Sequence, residues 1–108
     1  MEYIEIDKDL IPYEFIIELD NDEYKLDVRY NETYDFFTVD LYKDEQLIVA
    51  GEKLVYGQAL FASTYDPRTH PAQTIVPLDL SNHESTVNWA TLNETVFLIL
   101  QNGGEAIG

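Results

Sequence analysis

The fold of this chain is decided by the stretch from residue 24 to residue 30, which reads YKLDVRY. Apolar or aromatic side chains alternate there with Lys25, Asp27 and Arg29 without a break. Successive side chains of an extended strand point to opposite faces, so a period of two is typical of a strand with one buried face. The stretch therefore predicts a half-buried strand with its charged side chains outward.

The same period continues on both sides of this strand. Residues 13–19 place Phe15, Ile17 and Leu19 on one face and Glu14, Ile16 and Glu18 on the other. Residues 34–43 point Phe37, Val39 and Leu41 inward and Phe36, Thr38, Asp40 and Tyr42 outward. A fourth strand at 47–50 ends or bulges at Gly51. The polar residues 20–23, 31–33 and 43–45 predict short turns, so 13–50 reads as a four-stranded antiparallel meander.

The second half of the chain is less regular. Residues 53–56 predict a short strand closed by Gly57, and 58–62 are ambiguous between strand and helical turn. Residues 63–73 form a loop, and Pro77 makes 74–80 an edge strand or a bulge. The last predicted strands are 87–91 and 94–101. Because no 3.6-residue period exceeds two turns, we expect an all-β, single-domain antiparallel β-sandwich or small barrel of about seven or eight short strands.

Length and composition suit one domain. The 108 residues are 45% hydrophobic, enough for one core but too few for two. We expect an N-terminal arm at 1–12, a β domain at 13–101 and a flexible C-terminal tail at 102–108. The acidic start shows no export signal, and the apolar run 96–100 is too short to span a bilayer.

Charge is the most unusual property of the composition. Twenty-one Asp and Glu oppose six Lys and Arg, for a net charge of −15, and residues 1–45 alone carry −11. Such a surface repels phosphate, so nucleic acid and anionic membrane are poor partners. Three interpretations of the acidity stay open: simple solubility, a basic protein partner, or a divalent cation.

The residues of catalytic and metal chemistry are sparse. No cysteine is present, which excludes disulfides and thiolate chemistry, and the two histidines, His70 and His83, lie in predicted loops outside any motif. Residues 20–23 resemble the start of a calcium loop but lack its later glycine and glutamate, so a hairpin turn explains them better. We therefore assign no catalytic, cofactor-binding or metal-binding residue, and no enzymatic activity.

Two groups of residues are candidates for protein contacts. Phe36 and Tyr42 point away from the expected core, where either a second sheet or a partner covers them. Tyr65, Arg68 and His70 share a loop and belong to residue types common at interfaces, although an ordinary long loop explains them too.

Four stretches together carry a family resemblance. They are IPYEF at 11–15, YKLDVRYN at 24–31, VDLY at 39–42 and IVAGEKLVYG at 48–57. Their order is strand, Arg-Tyr-Asn turn, aromatic strand, the pattern G-x-x-L-V-x-G and a short apolar stretch. Over roughly residues 11–100 the chain resembles the cyanophage-type baseplate plug proteins, small components of phage tails.

The resemblance implies a structural protein of a phage or prophage tail, made in the bacterial host cytoplasm and located in the virion baseplate. It implies a hub plug that closes or braces the distal end of the tail tube. Its partners would be other tail or baseplate hub proteins, with self-association in a symmetric ring, and no nucleic acid or membrane. No cofactor is implied. The alternative is a carbohydrate- or cation-binding β-sandwich module with Trp89 or Tyr42 as a stacking platform.

Overall fold

Seven strands form two antiparallel sheets in the computed structural model, which describes residues 2–101 apart from the side chain of Thr64. The strands are β1 (Tyr3–Ile4), β2 (Tyr13–Leu19), β3 (Asp22–Asn31), β4 (Phe36–Lys43), β5 (Gln46–Lys53), β6 (Thr74–Leu78) and β7 (Phe97–Gln101). Short 3₁₀ turns lie at Lys8–Leu10 and Ala62–Thr64. The expected tail at 102–108 lies outside the described residues.

The first sheet has the order β2-β3-β4-β5 and is the predicted meander. The β2–β3 turn consists of Asp20 and Asn21, whose φ angles of 52° and 69° are typical of a two-residue hairpin turn that matches the twist of its strands. The register between β4 and β5 shifts near Gly51, which has a φ of 68°. Beyond that irregularity Lys53 still pairs with Thr38, so the separate strand predicted at 53–56 is wrong.

The second sheet has the order β1-β7-β6, with the N-terminal strand β1 at one edge. Ile4 and Ile6 are 3% and 2% exposed and belong to the hydrophobic core. Most of the segment assigned to the arm at 1–12, from residue 2 onward, is thus joined to the rest of the fold by strand pairing and a shared core. Pro77 lies in β6, the other edge of this sheet, as its missing N–H requires.

The strand predicted at 87–91 is wrong, because local hydrogen bonds fold this segment into a turn. The Asn88 N–H donates to Thr91 Oγ1 at 3.0 Å, and the Thr91 N–H donates back to Asn88 Oδ1 at 3.1 Å. The Val96 N–H also donates to the Thr91 carbonyl at 2.9 Å, which delays the last strand to Phe97. Asn and Thr side chains can hydrogen-bond to nearby backbone groups in place of a neighbouring strand, and Asn88 and Thr91 do so here.

One hydrophobic core joins the two sheets. It combines Leu26, Val28, Phe37, Val39 and Leu41 of the first sheet with Ile4, Ile75 and Leu98 of the second. The inward face predicted from the alternating pattern is confirmed, and the architecture is a sandwich rather than a closed barrel. Within residues 2–101, no helix has the length and apolar character needed to cross a membrane.

Candidate docking surfaces

The outer face of the first sheet carries a row of four side chains, three apolar or aromatic and one lysine, that crosses all four strands. Ile16 pairs with Lys25, Lys25 with Tyr42, and Tyr42 with Leu47. Ile16 is 64% exposed and Leu47 is 52% exposed, while the Lys25 ammonium lies 4.4 Å from the centre of the Tyr42 ring. We call Ile16, Lys25, Tyr42 and Leu47 the outer row. Large apolar side chains exposed in a line are typical of a contact surface.

Phe36 lies on the same face as Tyr42, six residues and roughly 20 Å away along β4. Its ring is only half-buried and has the Lys53 ammonium 4.7 Å from its centre. The second sheet packs against the opposite face of the first, so the interpretation that it covers Phe36 and Tyr42 is wrong. Lysine side chains, with their apolar stems, shield the two rings instead.

A second surface lies beside β6, where a cavity of about 420 Å³ opens between this strand and the preceding loop. Leu60, Phe61, Tyr65, His70 and Ile75 contribute to its lining, which is mainly apolar. Tyr65 is 54% exposed at the rim. We call this space the β6 cavity; its size suits one or two apolar side chains of a partner.

The three predicted contact residues of this loop differ in exposure. His70 is only 6% exposed, and its Nδ1 accepts a hydrogen bond from the Asp66 N–H at 3.2 Å. The Tyr65 ring packs edge-on against the His70 ring, with 5.6 Å between centroids. His70 therefore supports the loop from inside, whereas Tyr65 faces solvent.

Arg68 extends into solvent but folds back onto its own loop. Its side chain is 87% exposed, and its Nε and Nη2 groups donate to the two carboxylate oxygens of Asp66 at 3.2 and 3.1 Å. These bonds lower the pKa of Asp66 below its usual range. The structure thus groups Tyr65, Arg68 and His70 beside the second sheet, while Phe36 and Tyr42 lie on the outer face of the first.

Sequence reasoning missed Phe61, which lines the β6 cavity in a left-handed backbone conformation with a φ of 63°. Such a φ is a genuine outlier for a bulky side chain. The Phe61 N–H donates to Glu52 Oε2 at 2.9 Å, so a carboxylate of β5 holds the strained residue in place. No glycine or asparagine marks this position, so the sequence carries no signal for it.

A cluster around Asp35 holds Trp89 at the edge of the sandwich. The Tyr30 hydroxyl and the Trp89 N–H donate to Asp35 Oδ1 at 2.6 and 3.0 Å. The hydrogen bond to the carboxylate raises the pKa of Tyr30 to about 12, and the same two bonds lower the pKa of Asp35. Trp89 is 39% exposed and stacks near Phe37, so its ring closes the core as well as facing an open cavity of about 670 Å³.

His83 lies in a turn that Asp79 holds together by hydrogen bonds. Asp79 is 4% exposed. Its carboxylate accepts four hydrogen bonds, from the Ser81 N–H and hydroxyl and from the N–H groups of His83 and Glu84. These bonds, the Ser81 hydroxyl first, lower the pKa of Asp79 to about 2. Across residues 2–101, no group of three or more His, Asp or Glu side chains converges on a metal position.

Residues 1–103 match one protein-family model, described as cyanophage baseplate Pam3 plug gp18. The chain belongs to this baseplate plug family. The match spans nearly the whole sequence and includes all seven strands of the sandwich. The chain is therefore a structural component of a phage baseplate, located in the virion tail and associated with other baseplate components. No curated protein matches the chain.

Proposed function

We propose that the chain is a hub-associated plug that closes or braces the distal end of the tail tube. The observation that carries this proposal is the match of residues 1–103 to the baseplate plug family. The proposed function is mechanical: the domain fills an opening and is displaced when the tail ejects its contents. No bond is made or broken, and the chain is not an enzyme.

The exposed parts of the fold support a docking role. The outer row presents Ile16 and Leu47 on the first sheet, and the β6 cavity presents an apolar depression on the other side. We assign the contacts to Phe36, Tyr42, Tyr65 and Arg68. His70 supports the loop that carries Tyr65 and Arg68. Interfaces gain most of their affinity from such aromatic and arginine side chains.

The acidity selects the kind of partner. At −15 the chain repels nucleic acid and anionic lipid, and it attracts basic protein surfaces. Association with hub proteins, and with further copies in a symmetric ring, needs only weak individual contacts because several contacts act together. Synthesis takes place in the host cytoplasm, before assembly into the virion.

Tails assembled without the protein test the proposal. Phage that carry a stop codon early in this reading frame should build tails of normal length whose distal lumen is open, as seen by electron microscopy. Supplying the protein from a plasmid should restore the closed end. Tails that remain closed without the protein would contradict the plug function while leaving its membership of the baseplate untouched.

A carbohydrate-binding module is the second candidate function. The observation that favours it is the open cavity of about 670 Å³, where Tyr30 and Trp89 lie beside Arg29 and Glu32. Aromatic rings next to charged groups are suited to stacking against sugars. Thermal stabilisation by a panel of oligosaccharides, lost in Trp89→Ala but not in Tyr42→Ala, would favour this function over the plug.

A further inference from the structure

The edges of the two sheets differ in how they are protected from other chains. The outer edge of β6 is covered, because the N–H groups of Gly57 and Leu60 donate to the carbonyls of Pro77 and Ile75 at 2.9 and 2.8 Å. The edge strand β5 is interrupted by the register shifts near Gly51. Natural proteins protect edges with such coverings and bulges, because an open edge is a template for another strand.

The edge strand β2 has neither kind of protection. It pairs with β3 over seven consecutive residues without a shift in register, and it contains no proline or lysine. Its length is above the usual strand length of about five or six residues. Strand β2 is therefore a long, regular edge.

The hairpin geometry decides which groups of β2 point outward. Leu19 and Asp22 flank a two-residue turn, and residues in that position form a hydrogen-bonded pair. Because hydrogen-bonded pairs alternate along an antiparallel ladder, the N–H and C=O groups of Leu19, Ile17, Phe15 and Tyr13 point toward β3. The groups of the intervening residues, Glu14, Ile16 and Glu18, point away from the sheet.

The next residue in that outward set, Asp20, agrees with this assignment. Its N–H donates to the Gln73 side-chain oxygen at 3.0 Å, although the two residues are 53 apart in sequence. By contrast, no group within residues 2–101 bonds to the backbone N–H or C=O of Glu14, Ile16 or Glu18. Along this edge, the N–H and C=O groups of these three residues are therefore available to pair with another strand.

Charge distinguishes between possible occupants of this edge. Glu18 lies directly opposite Glu23 on β3, and both side chains are exposed. This like-charge pair is already repulsive. Glu14 is 58% exposed, although the Lys25 ammonium lies 3.5 Å away. A second copy paired antiparallel about Ile16 would place each Glu14 opposite the copy's Glu18, adding two more repulsive pairs. A strand with basic residues at these positions would meet opposite charge instead.

We propose that β2 is a docking edge for an extended, basic segment of another baseplate protein, an inference that rests on the proposed function. The segment adds a fifth strand to the first sheet. It carries Lys or Arg opposite Glu14 and Glu18 and three apolar residues between them, facing the half-buried Phe15 and Ile17 and the exposed Ile16. Its pattern is thus basic, apolar, apolar, apolar, basic.

A synthetic peptide with the sequence Ser-Thr-Lys-Val-Ile-Val-Lys-Thr-Ser, blocked at both ends, is a probe for this edge. Titrated into the isotope-labelled full chain, it should shift the amide resonances of Glu14, Ile16 and Glu18 in nuclear magnetic resonance spectra. Replacing both glutamates, Glu14→Lys with Glu18→Lys, should weaken binding about tenfold. The same variant should gain binding to a matched peptide that carries Glu in place of Lys. No shift along β2, or no reversal of charge preference, would overturn the proposal.

A backbone variant separates strand addition from simple charge attraction. Ile16→Pro removes an outward N–H without removing a bond to β3, a position where an edge strand tolerates proline. It should abolish the peptide-induced shifts in a chain whose remaining spectrum is native. Ile16→Thr keeps the N–H but loses the same apolar side chain, so it is the matched control, and Ile16→Pro should bind the peptide much more weakly than Ile16→Thr. Equal binding by both variants would show that the peptide is held by charge alone and would refute the docking edge.

The same variants keep this inference distinct from the plug function. In tails, Ile16→Pro should restore the closed lumen in fewer particles than Ile16→Thr does. If both variants restore closure equally, the plug function holds and the docking edge is wrong. If the peptide binds β2 as described but tails close without the protein, the edge is correct and the plug function fails.

Discussion

Replacing Ile6 with alanine should strongly destabilise the protein, although Ile6 lies in a segment that the sequence assigns to an arm. The side chain is 2% exposed and packs in the common core. Its backbone N–H donates to Asn93 Oδ1 at 3.2 Å, so the segment is anchored on both sides. The variant therefore tests whether the N-terminal residues are integral to the sandwich.

The size of the effect follows from what the substitution removes. Ile6→Ala deletes three carbon groups, worth about 2.4 kcal/mol at about 0.8 kcal/mol for each buried group. The cavity left behind adds to this cost, within the range of about 2–5 kcal/mol measured for such substitutions. We expect a loss of about 3 kcal/mol, a large share of the 5–15 kcal/mol typical of a domain.

Urea denaturation followed by tryptophan fluorescence measures this loss, because Trp89 packs against the core. With an m-value of about 1.5 kcal/mol/M, the midpoint should fall by about 2 M. Ile16→Ala is the matched control: this side chain is 64% exposed, so its loss should change stability by less than about 0.5 kcal/mol. Equal midpoints for the two variants would refute the placement of Ile6 in the core.

Three further predictions concern single side chains and glycine. Because hydrogen bonds lower the pKa of Asp79 to about 2, its contribution to stability should be present above about pH 4 and be lost as the pH falls toward 2. Asp79→Asn should flatten that part of the stability profile; an unchanged acid slope would contradict this. The pKa of Tyr30 is raised to about 12, so this tyrosine should ionise late when tyrosine ionisation is followed by ultraviolet absorbance as the pH rises. Tyr30→Phe should remove that late-ionising group, and identical titration curves for the two proteins would contradict this. The methyl group added by Gly51→Ala would have no atom within 4 Å, but the φ of 68° is strained for alanine. Urea denaturation should therefore show a loss of about 1–2 kcal/mol in the free energy of unfolding, and equal stability would contradict this.

The first sheet could be predicted from sequence because every local signal agreed. Strict alternation set the inward faces of β2, β3 and β4, and Asp20-Asn21 supplied residues that tolerate positive φ. The register follows from these two features alone, since a two-residue turn leaves no slack and a one-residue slip would bury charges. This consistency explains why the strand order and the inward faces of the meander could be predicted, although the first turn is shorter than the predicted 20–23 and the fourth strand extends to Lys53.

The second half was predicted less well because side-chain hydrogen bonds, rather than hydrophobic alternation, determine much of its backbone conformation. Asn88 and Thr91 form a side-chain-bonded turn inside a stretch that reads as strand. The conformation of Phe61 depends on Glu52 of another element. In the N-terminal segment, the Ile6 N–H donates to Asn93 Oδ1, 87 residues away in the chain, a contact that the local pattern does not indicate. Hydrophobic alternation indicates which face of a strand is buried, but it indicates neither side-chain hydrogen bonds to the backbone nor contacts between separate elements.

The candidate contact residues were only partly foreseeable. Outward positions such as Phe36 and Tyr42 follow from strand alternation, whereas exposure in a loop does not. His70 and Tyr65 share one segment, yet one is buried and the other exposed, because the Asp66 N–H captures the imidazole. The β6 cavity emerges only when the preceding loop is folded against β6.

Electron cryomicroscopy of intact tails tests the central claim most directly. A single domain whose Cα atoms extend over 35 × 32 × 21 Å can be fitted to density at the resolution such maps reach. We predict that one or more copies of this sandwich lie in or across the distal lumen of the tail tube and contact the hub. Density for the domain elsewhere in the virion, with the lumen filled by another protein, would contradict the account.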